Sequence, residues 1–209
     1  MTLALDFATP DYGYTDAGHA HSHGYLLGAV DRILEAIGPS RVFDLGCGNG
    51  SVVSHLSKTY SAMGVDASES GIGLARMAHP DLRFEVASAY DDLGATYGQF
   101  DAVTSLEVIE HLFDPRLYAE RLYDLVAPGG YAVVSTPYHG YWKNLALAVS
   151  GKMDGHFTAL WDGGHIKFWS IPTLSKLLEN AGFEDLEFHR VGRVPQLAKS
   201  MICVARRPG

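Results

Sequence analysis

The segment Val42-Phe43-Asp44-Leu45-Gly46-Cys47-Gly48-Asn49-Gly50 runs from an apolar stretch through alternating glycines into a helical pattern. This feature constrains the fold most, because a strand that ends in a glycine turn and opens a helix begins a parallel βαβ unit. The chain keeps that rhythm, with strands predicted at Arg41–Leu45, Ala62–Asp66, Leu82–Ala87, Phe100–Leu106 and Tyr131–Thr136. Helical patterns fall between them at Ser51–Thr59, Ser68–Ala78 and Pro115–Val126, the last closed by a turn at Ala127-Pro128-Gly129-Gly130. Such alternation predicts an α/β domain whose mostly parallel sheet carries helices on both faces. Upstream, Gly24 to Ile37 has helical spacing and stops at Gly38 and Pro39. Residues 1–22 read as an arm or lid, and residues 23–209 as the domain.

The last third breaks the rhythm. An insert at about 138–169 concentrates Tyr138, Tyr141, Trp142, Phe157, Trp161 and Phe168, and it exceeds the usual connection of about 2–6 residues. A helix at Ile171–Ala181 and strands at Phe183–Val191 and Ser200–Ala205 complete a seven-stranded sheet, with Gly192 to Lys199 reversing the chain. The insert is placed to fold over a ligand, its rings favouring a planar or apolar one, although some of them must form a secondary core.

The net charge of −8 over 209 residues suits one domain and argues against nucleic acid, whose phosphates are bound by Lys and Arg. A small molecule is the expected partner. No run approaches the ~18 apolar residues of a membrane span and no secretory leader is visible, so the expected compartment is the cytoplasm. The short run Leu145–Val149, with Lys143 and Lys152 near it, suits weak contact with a membrane surface at most. Cys47 and Cys203 lack metal-ligand spacing and read as reduced thiols.

A helix start after a glycine loop can turn its N–H groups toward a ligand, which implies a nucleotide site. Asp66, twenty residues after Gly46, ends the second strand, where a carboxylate can accept both hydroxyls of a ribose. A dinucleotide oxidoreductase is the competing reading. Its G-x-G-x-x-G fingerprint needs a third glycine where this chain has Ser51.

DLGCGNG, GVDAS and VAPGGYAVVSTP, in register from about Gly24 to Arg206, resemble the class I S-adenosylmethionine-dependent methyltransferases. The resemblance implies their Rossmann-like fold and their cofactor. It also implies that Asp44, Gly46, Cys47, Gly48 and Gly50 embrace the methionine part and that Asp66 and Ala67 hold the ribose. Ser88, Ala89 and Tyr90 would then line the adenine, and Leu106 would also touch the cofactor.

Strand four delivers Glu107-Val108-Ile109-Glu110-His111 beside the first strand. If the chain turns helical there, Glu107, Glu110 and His111 share one face at i, i+3 and i+4. Two carboxylates and an imidazole can repel, titrate or hold a divalent cation, and His165, after Gly163 and Gly164, can add a fourth ligand. The set resembles two families: the ubiquinone-pathway O-methyltransferases, over more of the chain, and the small-RNA 2′-O-methyltransferases, which bind a metal through such a segment and a later histidine. The resemblance makes Glu107, Glu110, His111 and His165 candidate ligands for Mg, Mn or Zn, and His111 and Glu107 catalytic. Other readings stay open: His111 as the base of a metal-free N- or C-methyltransferase, or a cofactor-binding protein without turnover. His19, His21 and His23 belong to the arm rather than to a metal tract, and His139 and His156 have no spacing argument.

Overall fold

The computed structural model describes Tyr14, residues 16–18, 22–157, 159–161 and 163–209. Most of the arm, with His19 and His21, lies outside these residues. The elements are α1 (His23–Ile37), β1 (Arg41–Leu45), α2 (Ser51–Leu56), β2 (Ser61–Asp66), α3 (Glu69–Ala78), β3 (Arg83–Val86), α4 (Leu93–Tyr97) and β4 (Phe100–Leu106). They continue with α5 (Pro115–Leu125), β5 (Val126–Pro137), α6 (Tyr141–Val149), α7 (Met153–Phe157), α8 (Ile171–Asn180), β6 (Glu184–Val191) and β7 (Ser200–Arg206).

The seven strands form one sheet in the order β3-β2-β1-β4-β5-β7-β6, with β7 antiparallel to both neighbours and the first five strands parallel. The strand order reverses between β1 and β4, so the crevice at their carboxyl ends is where a ligand belongs. Strand alternation divides the core. Phe43, Leu45, Val103, Val134 and Cys203 pack on one face with Tyr118 and Leu122 of α5 and with Leu174 and Leu178 of α8. Val42, Ala102, Val133 and Ile202 pack on the other with Leu26 and Val30 of α1 and with Val52 and Leu56 of α2. No helix among the described residues is long and apolar enough to cross a membrane.

Three local expectations change. Helix α2 ends at Leu56, three residues early, where Ser57 Oγ donates to the Ser54 carbonyl and the chain turns into β2. The turn at 127–130 is instead an irregularity within β5: Val126 pairs with Phe100 and Tyr131 with Ala102, and the residues between loop out of register. The insert contains α6 and α7, and no residue of either helix is buried.

Candidate active site

The glycine loop is tighter than its sequence suggests. Gly46, Gly48 and Gly50 have φ of +85°, +52° and +78°, values open chiefly to glycine. A Cβ at Gly46 would collide with Val108, and one at Gly48 with the Tyr14 phenol. Gly50 faces inward, 2.7 Å from where its Cβ would meet Ala75 and the Phe84 ring, so it serves packing.

Four N–H groups of the loop itself are spent within the protein. The Gly46 and Cys47 N–H groups both donate to the Val65 carbonyl at 2.9 Å, Gly48 N–H donates to Asp66 Oδ2 at 2.8 Å, and Gly50 N–H to the Cys47 carbonyl. The loop folds back over the end of β2 and uses its donors there. The carbonyl oxygens of Gly46 and Gly48 are acceptors, which suit a cation rather than a phosphate.

Asp66 stands at the end of β2 as expected, and its two oxygens accept from Gly48 N–H and Ser68 N–H, each at 2.8 Å. Ala67 follows it. Ser88 N–H donates to Asp91 Oδ2, while Ala89 and Tyr90 pack partly buried against the core beyond β3. Leu106 closes β4. Buried Asp44 accepts from Thr104 Oγ1 at 2.7 Å, and burial pushes its carboxyl up to about 7. Cys47 is buried beside Val53, and burial pushes its thiol up. The Asn49 amide, which carries no signal in the sequence, donates to the Asp16 and Gly18 carbonyls at 2.9 and 2.8 Å and ties the arm to the loop.

After β4 the chain does not turn into an α-helix. Glu107 has φ +58°, a left-handed value that costs any residue with a Cβ energy, and only a 3₁₀ turn follows at Ile109–His111. The predicted shared face is therefore lost. Glu107 is not part of the group that Glu110, His111 and His165 form, although its charge still acts on Glu110: Ser135 Oγ donates to its Oε1 at 2.8 Å and Ser200 Oγ to its Oε2 at 3.1 Å. Burial pushes its carboxyl up to about 7 against those two hydrogen bonds.

Glu110, His111 and His165 do converge, with Oε1 of Glu110 4.0 Å from each imidazole Nε2. Residues Ile166 and Lys167 donate their N–H groups to the Glu110 carbonyl at 2.9 and 3.0 Å, which docks the returning insert and sets His165 in place. His111 Nδ1 lies 2.8 Å from the Gly163 carbonyl, so Nδ1 carries the proton and Nε2 presents a lone pair to the cluster. Burial lowers the pKa of His111, and burial lowers that of His165 to about 4, so both imidazoles are neutral at neutral pH. Glu110 is fully buried, and among the described residues neither side-chain oxygen has a partner at good hydrogen-bond geometry, although the Thr136 hydroxyl acts on it and slightly offsets the rise that burial gives its carboxyl. His139 and His156 sit nearby in the insert, their rings 5.4 Å apart.

A family model described as a methyltransferase domain matches residues 19–187. The ubiquinone biosynthesis O-methyltransferase of Dinoroseobacter shibae is 34% identical over 158 residues, covering 70% of this chain and 61% of that protein. That of Ruegeria pomeroyi is 31% identical over 176 residues, covering 78% and 68%. The methyltransferase domain of bacterial CtHen1-CN superposes with a TM-score of 0.65 at 25% identity, covering 87% of this chain and 97% of that one. This chain therefore spans about two thirds of the curated relatives' length.

Proposed function

The chain belongs to the S-adenosylmethionine-dependent methyltransferase domains, and from that premise we propose that it methylates an oxygen of a small hydroxylated acceptor beside a divalent cation held by Glu110, His111 and His165. The observation that carries this reading is Glu110: a buried carboxyl with neither oxygen at good hydrogen-bond geometry to any described residue, and two neutral imidazoles at 4.0 Å. Leaving a buried polar group without a partner is costly, and a cation supplies that partner. When bound, it polarises the acceptor hydroxyl and lowers its pKa.

The chain's own residues do the rest. The Gly46 and Gly48 carbonyls suit the positive methionine end of the cofactor, and Asp66 the ribose hydroxyls. Ser88, Ala89 and Tyr90 border the adenine in this reading, and Leu106 also touches the cofactor. His111 is oriented by the Gly163 carbonyl. Glu107, held by Ser135 and Ser200 with its pKa near neutrality, is suited to accept the hydroxyl proton. The relatives named as ubiquinone biosynthesis O-methyltransferases support an oxygen as the methylated atom.

The test is elemental analysis of the purified protein with turnover of catechol before and after exhaustive chelation. Bound metal, loss of turnover on chelation and its recovery with Mg, Mn or Zn are expected, and Glu110→Gln should lower metal content and turnover together. A metal-free, fully active protein would overturn the cation. It would favour a second reading, in which the Nε2 lone pair of His111 is the base for N- or C-methylation.

A further inference from the structure

Glu107 keeps a strained backbone conformation, with φ +58°, because contacts from β5 and β7 fix it there. Its N–H donates to the carbonyl and to the Oγ of Ser135, at 3.1 and 3.0 Å, and Ser135 Oγ returns a hydrogen bond to its Oε1. Its Oε2 accepts from Ser200 Oγ at the start of β7. Ser200 is buried, and its Oγ has a second neighbour: the hydroxyl of Tyr25, 3.3 Å away in the first turn of α1. Proton count gives this bond its direction. Ser200 Oγ carries one proton and spends it on the carboxylate, so from Tyr25 it can only accept. The half-buried Tyr25 is itself seated: His23 in the same turn has Nδ1 3.3 Å from Ser51 Oγ of α2, Leu26 is fully buried, and the Lys199 ammonium lies 5.0 Å from the centre of the Tyr25 ring. Burial raises the pKa of its phenol, against the bond to Ser200 and together with the charges of Glu107 and Glu110, so the proton it donates stays on it.

A hydroxyl that accepts on one side is polarised to donate on the other, so the Tyr25 bond strengthens the bond from Ser200 to Glu107. We propose that Tyr25 is a positioning residue for Glu107: its hydroxyl, acting through Ser200, holds the carboxylate in the orientation from which it takes the acceptor's proton. The inference deepens the proposed function and rests on its assignment of Glu107 as proton acceptor. In that step the acceptor hydroxyl gives its proton to Glu107 and its oxygen forms the new bond to the methyl carbon, while Tyr25 and Ser200 exchange no proton. Helix α1 thus does more than cover the sheet with Leu26 and Val30.

The experiment uses Tyr25→Phe, Ser200→Ala and the double variant, each in the full chain and read in two ways. The infrared difference between each protein and the same protein carrying Glu107→Gln isolates the Glu107 carboxyl band and needs no acceptor. Tyr25→Phe should shift that band, Ser200→Ala should shift it further, and the double variant should match Ser200→Ala, because Tyr25 acts only through Ser200. Turnover of catechol should follow the same order. Tyr25→Phe should lower kcat about three- to tenfold, the worth of one neutral hydrogen bond, and leave KM and the affinity for S-adenosylhomocysteine unchanged. Phenylalanine keeps the ring and its contact with Lys199, so a purely structural role of Tyr25 would move neither readout. An unshifted band or an undiminished kcat in Tyr25→Phe, or an equal effect of that substitution with and without the Ser200 hydroxyl, overturns the positioning. Full turnover in Glu107→Gln, or no turnover of catechol by the parent, overturns the proposed function instead, and the infrared bands then still decide whether Tyr25 holds the carboxyl.

Discussion

Asp66 does two jobs that its position in the sequence cannot separate. Spacing alone marks it as a ribose acceptor, yet its carboxylate also joins the glycine loop to the start of α3 through Gly48 and Ser68. An alanine there would remove both backbone contacts and blur binding with folding. Asp66→Asn is the sharper substitution, because the amide keeps one acceptor oxygen and turns a donor toward an N–H group. We expect cofactor affinity to fall by about ten- to a hundredfold, the range for a lost charged hydrogen bond, with only a modest drop in melting temperature. Calorimetric titration of S-adenosylhomocysteine reads the first and a thermal melt the second. Undiminished affinity would remove Asp66 from the ribose. The cluster of Glu110, His111 and His165 was legible at this scale because two of the three are adjacent in sequence and the third follows a glycine pair. The serines that hold Glu107 were not: Ser135 and Ser200 lie 28 and 93 residues from it and have no local signature.

At the scale of elements, hydrophobic period and glycine punctuation located every strand to within a residue or two, apart from the start of β5, because the central strands are buried and all are bounded by turns or helices. They missed α4, α6 and α7. Helix α4 has five residues and one buried side chain, and α6 and α7 bury none, so no apolar stripe marks them. Gly50 shows a related limit, since a glycine kept for packing and one kept for a ligand look alike in sequence. Its φ of +78° and the contacts its Cβ would make with Ala75 and Phe84, both buried, predict that Gly50→Ala costs about 2–5 kcal/mol, backbone strain plus overpacking. Gly38 caps α1 with φ +67° and has nothing within 4 Å of its Cβ, so Gly38→Ala should cost only about 1–2 kcal/mol. Urea unfolding of the two variants checks the difference. Equal losses would mean that Phe84 and Ala75 yield to the extra methyl.

Across the whole molecule, buried ionisable groups set how stability changes with pH, and two sets oppose each other. A carboxyl whose pKa is raised by folding binds more protons folded than unfolded between its two values, so stability falls as pH rises through that window. For Asp44 burial opens a window from 3.8 to about 7, and Glu107 rises likewise from 4.5 to about 7. Histidines lowered by burial act in the other direction: His139 and His165, both at about 4 when folded, add stability as pH rises from about 4 to 6.5. Below 6.5 the two slopes offset, and from there to about 7 the carboxyls act alone and stability declines. Asp44→Asn isolates one of them, since an amide cannot ionise and its oxygen can still accept from Thr104 Oγ1. The shift from 3.8 to about 7 corresponds to a gain of up to about 4 kcal/mol at pH 8, shrinking toward zero near pH 4. Denaturant unfolding of parent and variant at pH 4.5, 6 and 8 measures it. A gain independent of pH would show that the substitution acts through packing instead of charge. Cofactor affinity should fall in the same variant, because a negative charge at the base of the glycine loop complements a cationic methionine end, and natural chains keep such strained groups where binding needs them.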